Sequence, residues 1–139
     1  MKPRIIVAAL LALMAGTAAA SDWQVVGIQL GTEARYEVDV ATLVRNGPVV
    51  RAWVRTVFGT ANKLSNGATA RSARAFEYFN CADRQMEMRQ ITFYADANFS
   101  DVAVPTTQYS DAETVWRDIP PDSSQELVLD FVCKHAPPN

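Results

Sequence analysis

The run from Val49 to Phe58 constrains this chain more than any other feature, because Val50, Ala52 and Val54 alternate with Arg51, Trp53 and Arg55. Side chains point to opposite faces of a strand with a period of two, so one face of this segment is apolar and the other carries charge and an indole. Such a strand belongs in an antiparallel sheet that is buried on one side and partly wet on the other. The turn residues Asn46-Gly47-Pro48 launch it. Two long strands are expected at about Arg71 to Cys81 and Arg84 to Tyr94, joined tightly through Ala82-Asp83. In the second of these, strict alternation sets Met86, Met88, Thr92 and Tyr94 against Glu87, Arg89, Ile91 and Phe93.

Two strands precede this group, Trp23 to Leu30 and Arg35 to Val40, with Gly31-Thr32-Glu33-Ala34 as a hairpin connection. Between Gly59 and Ala70 the Gly, Thr, Asn, Ser and Ala residues read as a mobile hairpin loop. Asp96 to Ser110 is loop-like with one short strand, and a last short segment lies at Val115-Trp116. Beyond Pro120-Pro121, Ser123 and Glu126 stand at capping-box spacing. Leu127, Val128, Phe131 and Val132 then form the apolar stripe of one C-terminal helix. The expected fold is α+β: a mainly antiparallel sheet of about five to six strands, with the helix packed on one face.

The first residues place this domain outside the cytosol. Met1-Lys2-Pro3-Arg4 is a basic opening, Ile5 to Met14 is apolar and uncharged, and Ala18-Ala19-Ala20 supplies a small-residue cleavage site. A spanning helix needs about 20 apolar residues, more than this run offers. Residues 1–20 are therefore expected to be a cleavable signal peptide, and residues 21–139 a single domain. No Cys lies beside the cleavage site to take a lipid anchor, so a periplasmic, secreted or cell-surface protein without an acyl chain or an integral membrane span is expected. Cleavage removes Lys2 and Arg4, which leaves 11 basic against 15 acidic residues and a formal charge of −4. With no block of like charge, a nucleic-acid partner is excluded. The two cysteines, Cys81 and Cys133, form an even pair in an oxidising compartment, which is most simply a disulfide, and they lack the further ligands of a zinc site. The bridge would clamp the helix to the end of a strand.

Catalytic patterns are missing. The single histidine, His135, sits next to the terminal tail, where no partner would fix its tautomer. There is no nucleophile elbow, phosphate loop or C-x-x-C pair, so the chain reads as a non-enzyme without a cofactor. Asp96-Ala97-Asn98-Phe99-Ser100 starts like a calcium loop, but the required Gly and Glu positions hold Asp101 and Thr107, which favours a polar turn and no metal. What remains is a surface. Arg51, Trp53 and Arg55, extended by Arg74, Phe76 and Tyr78 on the strand after the loop, combine the side chains enriched in binding hot spots. Arg51, Trp53, Arg55, Arg74 and Tyr78 are the candidate binding face. A purely structural role is the alternative: Trp53 covers the sheet while the arginines pair with Glu37 or Glu87 across strands.

The order of landmarks carries a resemblance. A Val-Arg-Ala-Trp-Val-Arg strand is followed by Cys81 just before an Asp-Arg turn, then Tyr94, Trp116, Ile119-Pro120, Ser123 and Val132-Cys133. In this the chain resembles the bacterial surface-adhesin protein E family over most of its mature length. The resemblance implies a Gram-negative source, a Cys81–Cys133 bridge, and adhesion to host or extracellular-matrix proteins. It carries over to Trp53, Cys81, Arg84, Trp116, Pro120 or Pro121, Ser123 and Cys133 as framework positions. The function expected is protein binding. The alternative is a periplasmic envelope-associated structural or inhibitor-like protein that self-associates, as a homodimer, through its open sheet face.

Overall fold

A computed structural model describes residues 20–139, so all but the last residue of the expected 1–20 signal peptide lies outside the described residues. The elements run β1 (Trp23–Gln29), β2 (Ala34–Asp39), a 3-10 turn (Val40–Thr42), β3 (Val44–Asn46), β4 (Val49–Lys63), β5 (Thr69–Asn80), β6 (Gln85–Tyr94), β7 (Val102–Gln108), β8 (Arg117–Asp118) and α1 (Ser124–His135). Along the sheet the order is β1-β2-β4-β5-β6-β7, and every neighbouring pair is antiparallel. The short strands β3 and β8 pair with the outer stretches of β4 and β6. The α+β expectation of five to six strands thus holds along the main path, with two short strands added at its margins.

The core lies between one sheet face and α1. Val38, Val50, Ala52, Val54 and Phe79 meet Val128, Leu129 and Val132, with Leu43, Ile119 and Ala136 closing the ends. Phe79, Leu129, Val38, Val50 and Val132 are fully buried, and each contributes about 1.5–3 kcal/mol before entropy is subtracted. The helix starts as its sequence requires: the Ser123 side chain accepts from the Glu126 N–H at 3.2 Å. Glu126 reaches back one residue further than in a standard capping box, accepting from the Asp122 N–H at 2.6 Å. The helix C-terminus is met by Arg45, whose guanidinium donates to the Cys133 carbonyl at 2.6 Å, where a cation opposes the helix dipole. Cys81 and Cys133 are bridged, with their Cα atoms 5.9 Å apart.

Several expectations are corrected. The stretch from Gly59 to Ala70 is mostly strand: β4 runs to Lys63 and β5 begins at Thr69, leaving only a short turn closed by Leu64 and Ala68. A break in register between Val57 and Asn62 absorbs the extra residues, so small polar residues are held by pairing that their own propensity does not supply. In β6 a bulge at Arg89 shifts the phase, since Phe76 faces Gln90 and Glu77 faces Met88. Ile91 and Phe93 therefore join Met86 and Met88 on the helix side, and Thr92 and Tyr94 join Glu87 on the other. The buried stripe of α1 is Ser124, Val128, Leu129 and Val132, whereas Leu127 is exposed and leans over Gly27. The segment expected at Val115-Trp116 pairs two residues later, as β8. His135 lies within the last helical turn, its Nδ1 2.8 Å from the Phe131 carbonyl and its ring stacked on Phe131, so it is part of the helix and not of a fraying tail.

Candidate functional site

All five candidate residues fall on the sheet face opposite α1, on two neighbouring strands and three successive rungs. Arg51 pairs with Tyr78, Trp53 with Phe76, and Arg55 with Arg74. The alternation of β4 dictates this, because burying Val50, Ala52 and Val54 under the helix leaves their neighbours no other side. Trp53 and Phe76 lie 5.0 Å apart between ring centroids, and Phe76 meets Tyr78 edge to face at 5.5 Å. Arg51 is exposed; the other four are half-buried.

The third rung sets two like charges, those of Arg55 and Arg74, opposite each other. Arg55 is bound to Glu37, which is buried at 5 % exposure and also takes Arg35 at 3.0 Å. Arg74 lies among aromatic rings, with its guanidinium 5.7 Å from both Trp23 and Phe99 and 5.9 Å from Tyr94. Its buried Nε has no hydrogen-bond partner among the described residues. Arg55 shares two of these rings, 4.3 Å from Trp23 and 4.8 Å from Phe99. The ring quadrupoles favour both cations, so the rings bind the two arginines together.

Arg89 enlarges the face because the β6 bulge turns it toward Tyr78, 4.5 Å from the ring. It is bound to the buried Glu87 and to the exposed Asp111. Partial desolvation works against its charge, but hydrogen bonds and attraction from Asp111 and Glu87 prevail and raise its pKa above the ordinary arginine value. Cross-strand pairing with Glu37, the structural alternative, is therefore real for Arg55, while Glu87 takes Arg89. Arg51 and Arg74 take part in neither pairing.

Sequence reasoning missed Trp23, Tyr94, Phe99 and Arg89. Trp23 opens an edge strand and gave no sign of crossing to β4, and Arg89 depends on a bulge that no local signal marks. Phe99 lies in the polar turn from Asp96 to Asp101, where no periodic pattern points its ring at the sheet. There the Asp96 carboxylate accepts the N–H groups of Asn98, Ser100 and Asp101 at 3.3, 3.1 and 3.0 Å. Its hydrogen bond from the Ser100 hydroxyl, followed by that from Asp101, pulls its pKa down to about 2. The loop holds Phe99 at a φ of 60°, with its ring against Tyr94 at 5.7 Å and above both arginines. The carboxylate that resembled a calcium ligand organises a turn that delivers an aromatic ring. Among the described residues no group of three or more His, Cys, Asp or Glu is placed to hold a metal ion.

Of the framework positions, Trp53 lies on this face, while Cys81, Arg84, Ser123 and Cys133 belong to the junction of the β5–β6 turn with α1. Arg84, at a φ of 53°, ends the β5–β6 turn and reaches Glu126 at 2.9 Å and Asp130 at 3.1 Å on α1. Together with the disulfide it fastens the turn to the helix. No helix among the described residues is long and apolar enough to cross a membrane.

Comparisons with known proteins agree with this architecture. The selenomethionine form of Haemophilus influenzae protein E superposes with a TM-score of 0.57 at 16% identity, covering 86% of this chain and 91% of that one. Protein E from non-typeable Haemophilus influenzae gives 0.52 at 15% identity, over 86% of this chain and 80% of the other. At such identities the likeness establishes the fold. Among curated proteins, none matches by sequence. The model of the family described as Surface-adhesin protein E matches residues 23–134, most of the chain. On that match, the chain belongs to the surface-adhesin protein E family.

Proposed function

We propose that this chain is an exported, non-enzymatic adhesion domain that engages host or extracellular-matrix proteins through the arginine–aromatic face of its sheet. The observation that carries the reading is the three-rung ladder of β4 and β5, with Arg51, Trp53, Arg55, Arg74, Phe76 and Tyr78 on the side that α1 leaves open. Half-buried aromatic and arginine side chains lose little entropy on contact and offer both apolar area and charge, which is the composition of interface hot spots. Arg35, Arg51, Arg55, Arg74 and Arg89 outnumber the Glu37, Glu87 and Asp111 carboxylates beside them, so an acidic patch on the partner is the complement.

A solid-phase assay against a panel of matrix proteins tests this, with the parent compared to Arg51→Ala and Trp53→Ala. These substitutions are expected to weaken binding about tenfold or more, as for hot-spot truncation, and added salt is expected to weaken it further. Binding no better than that of a control domain would overturn the adhesion reading. Fractionation of the native protein completes the test: a wholly periplasmic protein would point to the envelope role instead.

A further inference from the structure

The helix does not cover the whole of the other sheet face. Between its first turns and the far ends of β4, β5 and β6 lies a cavity of about 230 Å³, walled by Val54, Phe58, Met88, Phe93 and Val128 among others. Glu77 stands in that wall. It points to the helix side of β5 between Ala75 and Phe79, with Ala52 opposite on β4 and Met88 opposite on β6. No hydrogen bond or ion pair among the described residues reaches its carboxyl, and burial by itself pushes its pKa up to about 7. A second cavity of about 390 Å³ shares Met86, Met88 and Gln125 with the first, so the two form one groove.

The groove has a definite chemistry. Its other titratable or charged lining groups are Tyr36 in the first cavity and Tyr109, Glu113, Arg117 and Asp118 in the second. Tyr36 donates to Gln29, Glu113 accepts from Ser110, and Asp118 accepts from Gln85. Of these carboxylates, Glu77 alone has no hydrogen-bond partner among the described residues, and three carboxylates stand against one guanidinium. Apolar walls favour a hydrocarbon body, and an unpaired, partly desolvated carboxylate favours a cation at its end. An ammonium has three donors, and Thr56 and Gln125 line the same cavity as Glu77 and offer further acceptors.

We propose that this groove is a binding site for an alkylammonium, a primary amine on a short hydrocarbon chain, with the Glu77 carboxylate holding the ammonium and the Met–Phe walls holding the chain. The site lies on the opposite face from the adhesion ladder and does not depend on it.

Calorimetric titration with n-octylammonium, n-octanol and n-octanoate below their aggregation limits tests the assignment. At about pH 8, where Glu77 is ionised, octylammonium is expected to bind about tenfold tighter than octanol, and octanoate weakest. Toward about pH 6 the advantage of the ammonium is expected to shrink as Glu77 takes up a proton. Glu77→Gln should keep octanol binding and lose the preference for the amine; it removes a poorly solvated charge, so it should fold, which a thermal melt checks. The methyl resonances of Met86 and Met88 should shift on titration. Equal affinity for amine and alcohol, an amine preference that survives in Glu77→Gln, or binding heat without those methyl shifts would each overturn the proposal.

Discussion

Glu37 shows how much of the candidate face depends on a single buried acid. Its carboxylate neutralises Arg55 and meets Arg35, whose side chain is half-exposed. Arg55→Ala should therefore destabilise the fold by about 1–3 kcal/mol, because a buried carboxylate loses its better partner. Arg51→Ala, at an exposed position outside any ion pair among the described residues, should change stability by less than about 0.5 kcal/mol. Urea melts of the two variants check the difference, and they also show why Arg51 is the cleaner probe of binding. Asp96 makes a second prediction at this scale. Its pKa is held down at about 2 in the fold against an ordinary value of 3.8. The stabilisation it brings is complete above the ordinary value and is lost as pH falls through the folded one. Acid titration followed by the Phe99 ring resonances should thus show the ring leaving Arg55 and Arg74 as pH drops from about 4 toward about 2. Asp96→Ala should release the ring at every pH. The sequence marked Asp96 as part of a polar turn; the folded turn adds which backbone N–H groups its oxygens take, those of Asn98, Ser100 and Asp101.

Among the elements, the β4–β5 hairpin departs furthest from its local propensities. Its outer part is built from residues that favour loops, and Gly59 carries the reason for one of them. A Cβ at Gly59 would lie 2.1 Å from the Thr32 carbonyl oxygen and 2.8 Å from the Glu33 Cβ, so the β1–β2 turn packs directly onto this glycine. Gly59→Ala should cost about 1–3 kcal/mol by forcing the β1–β2 turn away from β4. A lowered denaturant midpoint, without loss of the disulfide, checks it. The helix behaves differently, since its Ser123 cap and apolar spacing were legible from the chain and both appear in the fold. Its buried stripe was legible only in part. Leu127 and Leu129 are equally apolar but two residues apart, on nearly opposite sides of a helix, and the way α1 is seated on the sheet buries Leu129 and leaves Leu127 exposed. The β6 bulge makes the same point: a period-two pattern cannot show where one residue is left out of register.

For the whole molecule, the disulfide joins the two layers by closing a loop with a sequence separation of 52 between the sheet and the end of α1. Replacing both cysteines by alanine should lower stability by about 4 kcal/mol in the chain-entropy treatment. Thermal unfolding of the protein with and without reductant measures it, and with Arg84 and Arg45 still tying the β5–β6 turn and β3 to the helix the variant should lose stability before it loses its fold. The sequence by itself determined the antiparallel class, the capped C-terminal helix, the pairing of the only two cysteines, and the arginine–tryptophan face of β4, because each follows from local periodicity, capping chemistry or counting. Only the tertiary structure decided that Trp23 and Phe99 close over Arg55 and Arg74, that a bulge turns Arg89 toward Tyr78, and that Glu77 stands unpaired in an apolar groove. These outcomes depend on contacts between segments far apart in the chain, and on irregularities of register that leave no mark in local pattern.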